Sequence, residues 1–480
     1  MSLQLLNNPV IGREKNGLQE KIIQFGEGNF LRAFVNWMID QMNQQLDFNA
    51  GVVVVQPLES GMIDVLNDQD GLYNVYLKGL KNNSVQVDRY LIECIKRAIN
   101  PYRQADEYFE MARSSELRFV ISNTTEAGIQ FNEEDELSRF PQKTFPGKLT
   151  AFLHARFLHF EGSPDKGLIF LPCELIDKNG RKLKEAIMQY ADHWSLGSSF
   201  IDWINASNTF CNTLVDRIVP GYPKDRAEEL SKELGYIDNL IVEGEQFHLW
   251  VIEGPDFVKD EFPIDKTDLN VVFTHNLKPY RDRKVKILNG AHTIMVSTAI
   301  ACGINTVKEV MDDPILSKYL KETIYQEITP TLDLEEEELR SFAEAVLQRF
   351  SNPFIKHYLK DISLNSISKF RTRVLPSIVD YQKNNGHIPK KLAFALASLL
   401  HLYKESSDLK DDQQYIDFIK NAWINSTNSF DAIHTIIKNI LSNIELWGQD
   451  LSVMPELSGL TANYFYQIAA MDVKSVLSEL

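Results

Sequence analysis

Between residues 281 and 292 the chain reads Arg281-Asp282-Arg283-Lys284-Val285-Lys286-Ile287-Leu288-Asn289-Gly290-Ala291-His292. On a regular helix turning about 100° per residue, Asn289 falls about 140° and His292 about 80° from Lys284, so the three share one face and Lys286 lies outside it. Reducing a carbonyl by hydride transfer needs a proton donor at the developing alkoxide and hydrogen-bond donors that polarise the oxygen. Lys284, Asn289 and His292 provide those functions without a metal. A lysine starts from a pKa of about 10.4, so desolvation or nearby positive charge must bring it into play near neutrality. Arg283 and Lys286 are the candidate neighbours. A lysine in a basic run is more often a solvated side chain, so the spacing permits this chemistry without establishing it.

A second group of residues suits a dinucleotide. Gly26-Glu27-Gly28-Asn29-Phe30-Leu31-Arg32-Ala33 sits where a strand expected at 21–25 turns into a helix expected over 30–44, so backbone N–H groups and a helix N-terminus can face a pyrophosphate. Gly26 allows the tight turn and Gly28 lets backbone approach phosphate, while Leu31 stands where a third glycine is usual and leaves Ala33 as the nearest small residue. Two glycines in such a turn also serve turn geometry alone. The β-branched run 51–55 completes a βαβ unit but ends at Gln56 rather than at an acid, with Glu59 three residues on. No Arg or Lys occurs between Gln56 and Leu77, so a 2′-phosphate has no evident local partner and NAD is favoured over NADP. After a later strand, Ser122-Asn123-Thr124-Thr125-Glu126-Ala127-Gly128 either lines the cofactor cleft or is an ordinary turn.

The elements that must position these groups divide the chain in two. Residues 1–279 alternate apolar strand-like runs, among them 117–122 and 167–171, with amphipathic helical segments, which is the pattern of a parallel sheet covered by helices. The expected fold class is α/β: a Rossmann-type NAD-binding domain with additions over 1–279, then a mainly α-helical domain over 280–480. Helical patterns such as 292–310 and 391–403 carry the second part. Four consecutive glutamates at 335–338 read as solvated surface.

Composition removes several function classes. With 50 basic against 66 acidic residues and a net charge of −16, and no basic patch of the required size, a grip on nucleic-acid phosphates is not expected. The apolar run 392–400 falls well short of the ~20 residues a membrane span needs, and residues 1–13 lack a signal-peptide core, so a soluble cytoplasmic protein is expected. Cys94, Cys173, Cys211 and Cys302 form no CxxC pair and no HExxH occurs, so buried reduced thiols and no metal site are expected.

With these motifs in place, the sequence resembles the mannitol dehydrogenase family of polyol-specific long-chain dehydrogenases over nearly its whole length. Phe25 through Ala33 resembles the family's nucleotide loop, and Leu214-Val215-Asp216-Arg217-Ile218-Val219-Pro220 its Val-Asp-Arg-Ile signature. Lys284, Asn289 and His292 match a Lys-x4-Asn-x2-His element. The resemblance implies a metal-free dehydrogenase in which Lys284 is the general acid/base, Asn289 polarises the reacting oxygen and His292 positions substrate hydroxyls. The expected cofactor is NAD, with contacts from Phe25, Gly26, Glu27, Gly28, Asn29, Phe30, Leu31, Arg32, Ala33 and Gln56. Cys173-Glu174-Leu175-Ile176-Asp177-Lys178-Asn179-Gly180 retains the later asparagine of a Cys-Asp-Asn-x3-Asn-Gly region, which makes Asn179 the second catalytic asparagine. In Phe247-His248-Leu249-Trp250-Val251-Ile252-Glu253-Gly254, the last residue replaces an aspartate of the family, a departure expected to reflect a different substrate.

Segments 25–34, 121–128 and 215–223 are similar to the hexuronate-reducing members of the family. So is Ser351-Asn352-Pro353-Phe354-Ile355-Lys356-His357, continuing through Lys369-Phe370-Arg371-Thr372-Arg373. The implied partner is a small hexuronate or aldonate, reduced or oxidised in hexuronate catabolism. Asn365-Ser366-Ile367-Ser368-Lys369 aligns with an Asp-Gly-Ser-x-Lys element whose lysine contacts substrate, making Lys369 the first candidate for the carboxylate. Arg373 is the second, through two parallel hydrogen bonds from one guanidinium, and His357 is a third. The basic cluster also fits helix capping or surface pairing, most of all at Arg371. A fructuronate reductase or polyol dehydrogenase of the family, and a non-catalytic sugar or dinucleotide sensor, remain the alternatives.

Overall fold

A computed structural model of the chain describes residues 3–14, 17–81, 84–124 and 128–480. It divides into two compact units, Met1–Leu277 and Lys278–Leu480. The first carries strands β1 (Gln19–Phe25), β2 (Ala50–Val55), β3 (Tyr73–Lys81), β4 (Ser84–Ile92), β5 (Ile95–Ile99), β6 (Phe119–Ser122), β7 (Ile169–Pro172), β8 (Thr209–Phe210), β9 (Asn212–Asp216), β10 (Val242–Glu245), β11 (Leu249–Glu253) and β12 (Val271–Thr274). Six of them form a parallel sheet in the order β5-β2-β1-β6-β7-β8. The order reverses between β1 and β6, and in such a sheet a ligand crevice opens at the carboxyl ends of those two strands.

The expected strands at 21–25, 51–55, 117–122 and 167–171 are present as β1, β2, β6 and β7. Every residue of β2, Ala-Gly-Val-Val-Val-Val, is buried, because a central parallel strand is covered on both faces and reads as a continuous apolar run. In β1, Ile22 packs with Phe34 and Met38 on one face, and Ile23 and Phe25 pack with Tyr108 and Phe152 on the other. Each such side chain contributes ~1.5–3 kcal/mol by leaving water. The helix expected at 30–44 runs from Asn29 to Leu46, but its second segment, Arg32–Asn36, is a π-helix. The antiparallel pair β3–β4, with β10 alongside, and the sheet β12-β11-β9 escaped the sequence reading. β4 alternates exposed and half-buried positions, a period-two signal that a search for continuous apolar runs passes over. Cys94, Cys173 and Cys211 are buried and Cys302 half-buried, all as free thiols.

One buried acid in this unit makes stability depend on pH. Asp40 is 4% exposed and accepts from the Glu93 N–H at 3.2 Å, with the Cys94 thiol and the Glu93 carboxylate nearby. Burial pushes its pKa up to about 7, and Glu93 adds to the rise. A carboxyl with a raised folded-state pKa contributes stability that is complete below its unfolded value and lost as pH rises through about 7, a differential of up to about 4 kcal/mol. Asp40→Asn is therefore expected to gain stability relative to the native protein between pH 5 and pH 8. Urea midpoints of both proteins at the two pH values check this, and an unchanged difference would refute it.

The second unit is helical. Lys278–Arg283, the π-helix Lys284–Asn289 and Gly290–Ala301 run on as one rod. The helical pattern expected over 292–310 is corrected: the helix stops at Ala301, Gly303 adopts φ +75°, and a new helix, Val307–Asp312, opens with a Thr306/Glu309 capping box. Gly303 supplies the left-handed conformation that ends a helix at no steric cost, and reciprocal capping starts the next. The pattern at 391–403 is the helix Lys390–Glu405. Glu336, Glu337 and Glu338 form the first turn of Glu336–Phe350, where the helix dipole favours negative charge. No helix among the described residues is long and apolar enough to cross a membrane.

Candidate active site

In the first unit the β1 turn opens onto a cleft of ≈ 550 Å³ lined by Gly26, Glu27 and Gly28, by Pro57 and Leu58 beyond β2, and by Asn123, Thr124 and Gly128 beyond β6. Thr125, Glu126 and Ala127 of the loop named above lie outside the described residues. Gly26 adopts φ +115°, and a Cβ there would stand 2.9 Å from the Asn123 carbonyl oxygen, so this position admits no side chain. A Cβ on Gly28 would meet nothing within 4 Å, which leaves open backbone for a phosphate to approach. Both observations fit a dinucleotide.

The remaining loop residues build the turn. Phe25 packs on Phe145 at 4.9 Å between ring centres and Phe30 stacks on Phe34 at 5.0 Å, while Leu31 and Ala33 are buried. Arg32, expected at the cofactor, is corrected: it is 1% exposed, its guanidinium donates to Glu27 O, Leu240 O and Asn29 Oδ1, and it lies over the Tyr73 ring. It therefore has no reach to a phosphate, and Asn29 serves it as acceptor. The Glu27 carboxyl, partly withdrawn from water, has a raised pKa. Gln56 is a further correction. Its amide donates to Leu58 O at 2.8 Å and Glu59 O at 2.9 Å, so it ties down the turn after β2 and leaves Pro57 and Leu58 at the cleft.

Asn179, expected at the reacting centre, is wholly buried. Its Nδ2 donates to Pro172 O, Glu174 O and Thr213 O at 2.9–3.1 Å, and its Oδ1 accepts from Gly180 N and Thr213 N. Every bond the amide can make is in place, so Asn179 joins β7 to β9 and has nothing left for a substrate oxygen. The Val-Asp-Arg-Ile signature is equally structural: Arg217 donates to Ala33 O, Phe247 O and Gln246 O and packs over Trp37, burial holding its pKa down at about 9. Gly254 meets a packing constraint in this chain, since a Cβ there would stand 2.8 Å from Cys211 Sγ.

The second unit holds the other candidates. The turn from Lys284 to Asn289 is π-helical, with i→i+5 bonding, so Asn289 stands one turn above Lys284 instead of about 140° round from it. The π-turn tightens the face that regular geometry leaves broad. Lys284 and Asn289 are half-buried, and among the described residues the Asn289 carboxamide has no hydrogen-bond partner. His292 is 8% exposed, with rings of Phe350 and His357 at 4.5 and 4.9 Å, and its Nε2 is likewise unpartnered. Burial lowers the His292 pKa well below the usual value, and His357, Arg349, Arg373 and Lys369 lower it further. Neutral imidazole is the form this pocket holds at pH 7.

Lys369 and Arg373 stand one turn apart on the helix Ser366–Arg373, and the Arg373 carbonyl lies against Gly290, 3.2 Å from where a Cβ would be. Lys369 Nζ donates to Ile362 O at 2.8 Å; burial and the adjacent Arg373 lower its pKa. The half-buried Arg373 guanidinium has neither a hydrogen bond nor a carboxylate partner among the described residues, and burial lowers its pKa too. Arg371 points elsewhere, to Glu445 O at 3.1 Å. The two cations expected to act on Lys284 have carboxylates of their own. Arg283 pairs with Glu338 and packs over Phe342, and Lys286 pairs with Asp380 at 2.7 Å and donates to Thr331 O.

Sequence reasoning missed Arg349, which is 8% exposed and acts electrostatically on both His292 and His357. Its signal was legible: Phe342, Val346 and Arg349 follow i, i+4, i+7 spacing, which puts the arginine on the apolar face of its helix. Among the described residues no group of three or more His, Cys, Asp or Glu could hold a metal ion.

Comparison with known proteins bears on the family and the fold. The family description "Mannitol dehydrogenase Rossmann domain" matches residues 20–266, and "Mannitol dehydrogenase C-terminal domain" matches residues 276–469. Altronate oxidoreductase of Yersinia pestis bv. Antiqua (strain Nepal516) is 45% identical over 465 residues, 96% of each chain. Altronate oxidoreductase of Bacillus subtilis (strain 168) is 46% identical over 460 residues, 96% of this chain and 95% of its own. The fold is that of a substrate-free D-sorbitol dehydrogenase, at TM-score 0.81 and 19% identity, covering 99% of this chain and 98% of that one. It is also that of Pseudomonas fluorescens mannitol 2-dehydrogenase, solved with NAD and D-mannitol, at TM-score 0.65 and 21% identity over 100% and 97% of the two chains. A glycine turn at the switch point of a parallel sheet, followed by a helical unit carrying Lys-x4-Asn-x2-His, thus belongs with matches to both family domains, and the chain is a member of the mannitol dehydrogenase family of dehydrogenases and reductases.

Proposed function

We propose that this protein reduces D-tagaturonate to D-altronate with NADH and a proton, and catalyses the reverse oxidation with NAD, as a step of hexuronate catabolism. Relatives at 45–46% identity named altronate oxidoreductase support the substrate. The observation that carries the chemistry is a buried imidazole nitrogen without a partner, His292 Nε2, in a neighbourhood that also holds the Lys369 and Arg373 cations. A buried polar group without a partner costs free energy, and a hydroxylated carboxylate can give that nitrogen a hydroxyl and the two cations an anion.

The first unit would hold the dinucleotide at Gly26, Gly28 and the segments beyond β2 and β6. When bound, its nicotinamide supplies the hydride that goes to the substrate's carbonyl carbon. Lys284 Nζ gives a proton to the carbonyl oxygen as that oxygen becomes an alkoxide, and takes it back in the oxidation. The Asn289 amide donates to the same oxygen, which polarises the carbonyl and stabilises the developing charge. Neutral His292 fixes a neighbouring hydroxyl through Nε2. Lys369 and Arg373 hold the carboxylate, a local positive pocket that a chain of net charge −16 needs in order to attract an anion. His357 borders the pocket through its ring contact with His292.

Steady-state oxidation of NADH by D-tagaturonate tests the reading. Turnover is expected with NADH, weaker with NADPH, and unchanged after exhaustive EDTA treatment. Activity that disappears with chelation and returns with a divalent ion would overturn the metal-free mechanism, and absence of turnover with wild-type folding would overturn the enzyme reading.

A further inference from the structure

Glu174 has no part in the binding groups described above. It follows β7, is 3% exposed, and its carboxylate accepts three hydrogen bonds at 3.1 Å: from Thr124 N–H and Thr124 Oγ1 on one oxygen, and from Ser122 Oγ on the other. All three donors are neutral, so this buried carboxylate braces a loop and its donors are not half of an ion pair. Between them, Asn123 donates from its backbone to Phe25 O at 3.1 Å and from its side chain to Cys173 O at 2.6 Å. The Asn123 carbonyl is the group that closes on Gly26. Asn123 and Thr124 line the nucleotide cleft. The chain of contacts thus runs from Glu174 through residues 122–124 to the glycine turn.

We propose that Glu174 is a positioning residue for the cofactor: by holding residues 122–124 it sets the wall of the cleft and the seat of Gly26. The inference rests on reading that cleft as the dinucleotide site. Removing the acceptor leaves the Thr124 N–H without its partner and frees the wall, so the loss falls on cofactor affinity, while proton transfer by Lys284 stays intact. A glutamine can keep the Thr124 N–H bond through its oxygen and donate its amide to Ser122 Oγ, since a hydroxyl also accepts.

Fluorescence titration of NADH into the native protein, Glu174→Met and Glu174→Gln tests this, with kcat at saturating NADH and Tm measured in parallel. Glu174→Met is expected to raise the NADH Kd at least about tenfold, Glu174→Gln by no more than about threefold, with kcat at saturation within about threefold in both. NADH affinity in Glu174→Met equal to native overturns the proposal, as does a kcat loss that saturating NADH does not restore. A fall in Tm with unchanged Kd would make Glu174 a structural brace only. If the native protein itself binds no NADH, the dinucleotide reading fails and this inference falls with it. Should Glu174→Met not fold, Thr124→Val deletes only the hydroxyl bond; about threefold weaker NADH binding is then expected, and native affinity overturns the proposal.

Discussion

Lys284→Ala is expected to lower kcat by at least about two orders of magnitude while NADH binding persists, because positioned general acid catalysis contributes ~10²–10⁴-fold. The neighbouring lysine provides the contrast. Lys286 is 8% exposed and held by Asp380 and Thr331, so Lys286→Ala should act on stability first and on kcat by much less. Asp380 is itself 45% exposed at its side chain, so the carboxylate left behind can be rehydrated, and the fall in Tm should be a few degrees at most. Single-turnover rates at saturating NADH, with Tm for each variant, separate the two roles. Equal kcat losses in both variants, or an unharmed Lys284→Ala enzyme, would refute the assignment of the proton donor.

The second large effect is expected at the carboxylate. Arg373→Met and Lys369→Met should lower kcat/KM on D-tagaturonate by roughly 1.5–3 kcal/mol of transition-state stabilisation, the range for a hydrogen bond to a charged group, and should lower it less on an uncharged ketose such as fructose. Arg373 should show the larger difference, because Lys369 already donates to Ile362 O whereas the guanidinium can present two parallel bonds to a carboxylate. Steady-state kinetics of both variants on both substrates measure the difference directly. Equal losses on the two would mean that the residues support the fold or bind hydroxyls.

How far the sequence disclosed this site depended on the kind of signal each residue left. The strand runs, the glycine turn and the change to helical patterns near residue 280 were all legible, because burial on two faces and helix periodicity leave direct marks on composition. The shared face expected of Lys284, Asn289 and His292 was built on regular helix geometry, since nothing in Lys-Val-Lys-Ile-Leu-Asn marks the π-helical turn from Lys284 to Asn289. Arg32, Gln56 and Asn179 misled because residue type and proximity to a motif say nothing about whether a polar group is already satisfied. The saturated amide of Asn179 and the internally bonded guanidinium of Arg32 became visible only when the chain closed on itself. Arg349 was missed for a different reason: it belongs to no motif, and only its spacing from Phe342 and Val346 marks it. Glu174 replaces an aspartate of the family pattern, and its extra methylene goes unremarked until its reach from β7 to Thr124 is seen.

The account stands most directly on substrate class, and kcat/KM for NADH-dependent reduction of D-tagaturonate, D-fructuronate and D-fructose in one assay measures it. Highest efficiency on D-tagaturonate is predicted, with D-fructose far below because it offers nothing to Lys369 and Arg373. D-Fructose reduced as efficiently as the uronates, or D-fructuronate preferred to D-tagaturonate, would contradict the proposed reaction.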